Sequence, residues 1–401
     1  VELRRQRVEE RRDSFLPNLA EVLIERTHRL GDVGRWDTAL HVIQDAVQIN
    51  RELAEGGAVG FVRQLSHSLR YLAAVLVRLD RWREAQPVVM ECVEIDRQLV
   101  TRYGGVFTGQ LAVSLNELAS ALRGPDELDE SVAAAREAAG IVRRLATDHP
   151  DAHLPFLAAS LSNLAARLDR AGLREALPVA IEAVEILRRL AEDNLDGFLD
   201  RLTIAVHHLS DSLWRAGQRD EAFQAADEAI KLYRRSAAEY PQAVLPKLAG
   251  ALRDLADRLA GADRHEEALP VAREAVELYR ELAATRGGVF VHRFASVLAG
   301  LAAHLAKSGH SEDALATTAE AVDVCRQQIA KSDIPLVAAY VLRWLARSLL
   351  VLDRVDEAVA LLVEARTVAM NDCDDSLVEN VDTQLRDIRR ARSEDNDATA
   401  L

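Results

Sequence analysis

Cysteine is scarce. Three residues, Cys92, Cys325 and Cys373, stand far apart with no CxxC pair. That spacing excludes a zinc ribbon and a disulfide framework. It points to a reducing compartment, so a cytoplasmic location is expected. Aromatic side chains make up only 4% of the chain, which leaves close packing to alanine and leucine. No run of 18 apolar residues occurs and the first residues, VELRRQRVEERR, are charged; neither a membrane-spanning helix nor a secretion signal is expected. Lysine occurs only at 231, 247, 307 and 331. The basic charge is therefore nearly all arginine, read as the habit of a GC-rich genome. The net charge of −14 argues against non-specific nucleic-acid binding. Catalytic signatures are missing as well: no GxxxxGK[ST], HExxH or GxSxG occurs, and no GxGxxG follows a strand. The reading is a non-enzyme without cofactor or metal.

What is present is a period. A small residue recurs at Ala39, Ala85, Ser131, Ala176, Ala222, Ala268, Ala314 and Ala358, at intervals of 46, 46, 45, 46, 46, 46 and 44. A second marker, usually aromatic, runs in step through Phe15, Phe61, Phe107, His153, Phe198, Val244, Phe290 and Ile334. Two markers that share their irregularities so closely define a repeat. A fixed period in this range means a solenoid, in which each unit buries its apolar face on its neighbours.

Within a repeat the apolar spacing is helical. Counting from His153, Leu157, Leu161, Leu164, Ala165 and Leu168 share one face, and Ala171-Gly172 then breaks the pattern. Ala176, Ala180, Ala183, Val184 and Leu187 form the face of a second helix. Each repeat is thus two antiparallel helices. Pro17, Pro155 and Pro246 fall two residues past the second, usually aromatic marker and Pro335 one past it, where a first-turn N–H needs no partner. Acidic pairs on second helices, such as Glu182/Glu185 and Glu274/Glu277, read as a solvated face with arginine partners at i,i+4. Trp36 and Trp82 read as packing residues. His207 and His208 point about 100° apart on a helix and do not share a metal unaided. The third repeat, with Arg123-Gly124-Pro125-Asp126 in place of the usual turn and Ser131 for alanine, is the irregular one.

Leu209, Ser210, Leu213, Gly217, Ala222, Ala226 and Ala229 give large, small and large residues on the first helix, glycine in the turn, and Ala-x3-Ala-x2-Ala on the second. This pattern resembles the tetratricopeptide repeat (TPR) in a long form. The resemblance implies an all-α fold: a right-handed α-solenoid superhelix of antiparallel helix pairs, whose first helices line a concave groove. The expected organisation is the end of a truncated repeat over 1–14, eight repeats over 15–370, a capping helix over 371–392 and a polar tail over 393–401. Val1-Glu2-Leu3-Arg4 matches the end of a second helix and no initiator methionine is present; a piece of a longer protein is expected.

On that resemblance the groove positions supply Arg70, Tyr71, Asn116, Asn163, His207, Arg253, Tyr340, Arg343, Trp344 and Arg347 as candidate partner-binding residues. They are either ordinary solvated side chains or contacts to a protein or peptide. Trp344 either anchors a partner or packs beneath the C-terminal helix. The lysine-containing clamp of chaperone-binding TPRs is not reproduced. The resemblance extends to the sensor arrays of STAND-type ATPases and to arrays joined to caspase-like (CHAT) proteases, which implies an effector or ATPase domain before residue 1. Two alternatives stand beside it: a self-assembling scaffold, and a regulator that binds a small ligand in its groove.

Overall fold

In a computed structural model, the backbone is described for residues 2–32, 34–79, 81–331, 335–372 and 374–399, and it is helical with no strand among them. The marker Ile334 and Cys373 lie outside the described residues. The helices fall into two units, Val1–Gln242 and Ala243–Leu401. The first holds α1 (Glu2–Asp32), α2 (Trp36–Ala54), α3 (Val59–Arg78), α4 (Trp82–Tyr103), α5 (Thr108–Ala121), α6 (Leu128–Asp148), α7 (Pro150–Arg170), α8 (Ala176–Asp193), α9 (Leu195–Arg215) and α10 (Arg219–Glu239). The second is built from α11 (Pro241–Gly261), α12 (His265–Arg286), α13 (Val289–Lys307), α14 (Ser311–Lys331), α15 (Pro335–Val351), α16 (Val355–Asn371) and α17 (Asp375–Thr399). Within each unit, successive helices pack as antiparallel pairs and the pairs stack.

The small-residue marker shows why the pairs approach so closely. Ala39, Ala85, Ala222, Ala268, Ala314 and Ala358 are fully buried, as are Ala46, Cys92, Ala138, Ala229, Ala275, Ala321 and Ala365 seven residues on. A larger side chain at such a crossing would force the helices apart. Outside the third repeat, the turn inside each pair has a common bond. The N–H after the turn residue donates to a leucine carbonyl five residues earlier, as in Leu173 to Leu168 (2.9 Å), Gln218 to Leu213 (3.0 Å) and Arg264 to Leu259 (2.9 Å). This is a Schellman closure, which needs a left-handed residue. Gly172 (φ 67°) supplies it at no steric cost, and Asp263 (φ 63°) supplies it in α11–α12. Trp36 packs as expected: its ring lies over Gly31, where a Cβ would stand 2.8 Å away.

The third repeat solves the turn differently. Leu122 leaves the helix in an extended conformation, and the Gly124 N–H donates to the Glu127 carboxylate at 2.6 Å. Ser131, standing for alanine, is buried because its hydroxyl donates to the Ala119 carbonyl at 2.7 Å.

Three expectations need correction. Pro155 and Pro246 lie inside α7 and α11, beyond the first turn; those helices start earlier, at Pro150 and Pro241, which take the first-turn position instead. Pro17 likewise lies within α1, which runs unbroken through the boundary placed at residue 14. α17 continues to Thr399, past the limit set at 392, because no glycine or proline after Asp375 interrupts it. Glu182 takes its arginine from the preceding repeat, not from i,i+4: Arg143 reaches it at 2.7 Å. The same link recurs as Arg51–Glu91, Arg97–Glu137 and Arg188–Glu228 in the first unit, and as Arg280–Glu320 and Arg326–Glu364 in the second. Stacked second helices bring residues about 40 apart in sequence side by side. These pairs are substantially exposed, so they set register more than stability.

Candidate functional site

In the first unit the candidate residues are already engaged with one another. The Tyr71 ring on α3 stands edge-on to His67 (4.9 Å between centroids) and to His28 of α1 (4.4 Å). Arg70, next to Tyr71, adds its charge to this cluster. Asn163 of α7 donates to both the carbonyl and the side-chain oxygen of Asn116 on α5, each at 3.1 Å, and Asn116 donates to Ser160 at 2.9 Å. The two asparagines thus form a link between adjacent first helices. His207 Nδ1 lies 3.3 Å from the Tyr233 hydroxyl.

Sequence reasoning missed a polar cage in this unit. Asp96 of α4 is fully buried. It accepts hydrogen bonds from Ser66 of α3 (2.6 Å) and from Gln110 (2.6 Å) and Ser114 (2.5 Å) of α5. Cys92 lies in the same cage, 3.2 Å from each serine hydroxyl. Burial first, and then Asp96, push its thiol up to about 11, so it is inert as a nucleophile. The signal was available: the equivalent position in later repeats is apolar or aromatic (Val142, Leu187, Tyr233, Tyr279), and a carboxylate there demands partners.

Two groove histidines of the first unit are held well below their ordinary 6.5. Burial, then Arg70, Arg63 and His28, bring His67 to about 4. Burial and His207 bring His208 to about 4, with Asp211 acting against them. A histidine depressed in the folded state is protonated first in the unfolded chain. Stability is therefore complete above pH 6.5 and is lost as pH falls toward 4. Glu117, raised by burial, acts in the opposite sense. The melting temperature of the first unit should fall by on the order of 5 °C between neutral pH and pH ~4.5. A His67→Gln, His208→Gln double variant should flatten that dependence; an equally steep fall in the variant would reject the assignment.

The second unit holds the more open geometry. Arg253, Asp254 and Asp257 on α11, Ser296, Gly300 and His304 on α13, and Trp344 on α15 line a depression of about 340 Å³. Ala272 of α12 also lines it. Arg253 pairs with Asp254 at 2.7 Å, and His304 Nε2 lies 3.7 Å from Asp257. Trp344 is 50% exposed, so it is not packed beneath the C-terminal helix. Of the predicted residues, the structure brings Arg253 and Trp344 to this one depression. It turns Tyr340 and Arg343 elsewhere. The Tyr340 hydroxyl donates to Asp374 at 2.9 Å, and Asp374 in turn accepts the Leu377 N–H at 2.8 Å, starting α17. Arg343 lines a shallow cleft with Glu379, Asn380, Thr383 and Gln384 of α17. Arg347 is exposed. The four residues expected to act as one cluster are thus divided between two faces of α15. Among the described residues, no group of three or more histidine, cysteine or acidic side chains is placed to hold a metal. No helix among them is long and apolar enough to cross a membrane.

The family model for the tetratricopeptide repeat matches residues 111–151, 205–237 and 248–283, which fall on α5–α7, α9–α10 and α11–α12. No curated protein matches the sequence. Among solved structures, the apo form of RapI is similar with a TM-score of 0.56 and 10% identity, over 94% of this chain and 99% of that one. A Rap protein complexed with Competence and Sporulation Factor gives 0.51 and 11%, over 94% and 98%. A STAND protein with a tetratricopeptide repeat sensor from Pyrococcus horikoshii gives 0.49 and 14%, over 94% and 54%. At these identities the likeness concerns the fold. With its Ala-lined helix crossings, Schellman-closed turns and matched repeats, the chain is a helical-repeat protein of the tetratricopeptide type.

Proposed function

We propose that this protein is a non-enzymatic recognition module, and that it binds a protein or peptide in the depression bounded by α11, α13 and α15. The observation that carries this reading is the half-exposed Trp344 at a concavity that also offers the Arg253 guanidinium, the Asp254 and Asp257 carboxylates and the His304 ring. A large aromatic face beside a few directional polar groups is how a peptide side chain is anchored and oriented. A Rap protein of similar fold is complexed with Competence and Sporulation Factor, which agrees with a recognition role. As the sensor-array resemblance implies, such binding would be relayed to an effector or ATPase domain of the same cytoplasmic polypeptide.

The test is selection of binders from a displayed peptide library on the full chain, followed by measured affinities. Selected peptides should lose about tenfold or more on Arg253→Ala, since a charge-assisted contact contributes about 1.5–3 kcal/mol. Peptides bound equally well by wild type and variant would move the site away from this depression. A library that yields no binder at all would count against recognition of linear peptides.

A further inference from the structure

The chain holds four tryptophans, Trp36, Trp82, Trp214 and Trp344. An arginine of the chain stands over three of the rings. Arg78 lies 5.8 Å from the Trp36 centroid, Arg83 lies 5.0 Å from that of Trp82, and Arg219 lies 4.7 Å from that of Trp214. At such distances the ring quadrupole attracts the guanidinium. Trp344 differs. Its ring is half-exposed, and among the described residues no cation stands over it.

An acid in the same depression also lacks a close cation. Arg253 gives its Nε and Nη2 N–H groups to Asp254, at 3.1 and 2.7 Å. It acts on Asp257 through its field, without a bond. Asp257 is exposed, and the His304 Nε2 that faces it is 3.7 Å away, too far for a hydrogen bond. With Arg253 paired to Asp254, the depression keeps the charge of the Asp257 carboxylate. Room beside it comes from Gly300 of α13. Gly300 stands at the repeat position that Asp254 takes on α11 and Trp344 takes on α15. A Cβ there would meet nothing nearer than Asp257 Oδ1, at 3.7 Å. Glycine inside a helix is less stable than alanine, so helix formation does not ask for this opening. An open π face, an unbonded carboxylate and space between them are what a cation from outside would fill.

We propose that the depression receives an arginine side chain of the partner, its guanidinium stacked on the Trp344 ring and forked to the Asp257 carboxylate. This rests on the reading that a peptide binds here, and it names the side chain that the peptide presents. A guanidinium is planar, so it lies flat on an indole while its edge donates to a carboxylate in two parallel bonds. The ammonium of lysine is a compact point charge and does one of these less well. An acidic side chain would be repelled by Asp257. An apolar one would desolvate that carboxylate without giving it a partner. The N–H groups of Arg253 that Asp254 does not take are left for peptide carbonyls. The net charge of −14 steers a basic ligand in the same direction.

The experiment titrates the full chain with pools of short peptides, acetylated and amidated. Arginine, citrulline, lysine or glutamate is fixed at the centre and the flanking positions are randomised. Citrulline keeps the shape of arginine without its charge. Wild type should bind the arginine pool at least about tenfold more tightly than the citrulline pool, with lysine between them and glutamate weakest. Asp257→Asn should cut the arginine-to-citrulline ratio to about threefold or less, and Trp344→Ala should weaken the arginine pool by about tenfold or more. Asp263→Asn removes an equal charge from an exposed carboxylate outside the depression, at a left-handed φ of 63° that asparagine also adopts. It should leave the ratio unchanged. If citrulline or glutamate binds as tightly as arginine while Trp344→Ala still weakens binding, this inference is overturned and the depression remains the site. A ratio that survives Asp257→Asn, or that Asp263→Asn lowers equally, overturns it too, as does a lysine pool that outranks arginine. Binding that Trp344→Ala leaves untouched, or no binding by any pool, overturns both readings.

Discussion

Asp96→Ala is expected to destabilise the first unit by about 3 kcal/mol. The carboxylate accepts from Ser66, Gln110 and Ser114, at 2.6, 2.6 and 2.5 Å, and so joins α3, α4 and α5 at one buried point. Alanine would strand those donors without water to replace the lost acceptor. A stranded buried donor costs about 1–3 kcal/mol, and hydroxyl rotation toward the neighbouring Cys92 recovers part of it. Because stacked repeats open locally as well as globally, amide hydrogen exchange over α3–α5 is the most direct readout. Protection there should fall by about a hundredfold, with urea unfolding shifted in the same direction. Wild-type protection in Asp96→Ala would show that the cage contributes nothing net.

Trp344→Ala is expected to weaken binding of a selected peptide by about 30-fold, equivalent to about 2 kcal/mol. The side chain is half-exposed in the free protein, so its remaining surface is there to be covered, and aromatic anchors of this type dominate many interfaces. Truncation should leave the fold intact, since little of the ring is committed to the core. Tyr340→Phe is the matched control. It removes the hydroxyl that donates to Asp374, loosening the start of α17 without touching the depression, and it should leave the affinity unchanged. Undiminished binding by folded Trp344→Ala would place the contact elsewhere.

The two residues behave differently although they lie four apart on α15. From sequence alone, Tyr340, Arg343, Trp344 and Arg347 share a helical face and form one candidate patch. A helical face is wide, however, and two different neighbours divide it. α17 takes the side bearing Tyr340 and Arg343, while the α11–α13 side keeps Trp344 with Arg253 and His304. Asn116 and Asn163 carry the same lesson. Their spacing marks them as groove residues, but they spend their hydrogen bonds on each other.

The sequence by itself determined the repeat, the helix pairs and the positions where they cross. Each of these is local or periodic: alanine at Ala39, Ala222 and Ala268 is buried because one helix needs a small residue every turn it is crossed, and a 46-residue register writes that need out again and again. Tertiary structure alone decided which polar side chains were left free. Stacking places residues about 40 apart side by side, as in Arg143 with Glu182, and determines whether a charge finds a partner. Asp257 meets His304, whereas Ser120, at the equivalent position of α5, donates to the Asn116 carbonyl of its own helix. No spacing rule within one helix contains that information, because it depends on which side chain the next repeat brings opposite.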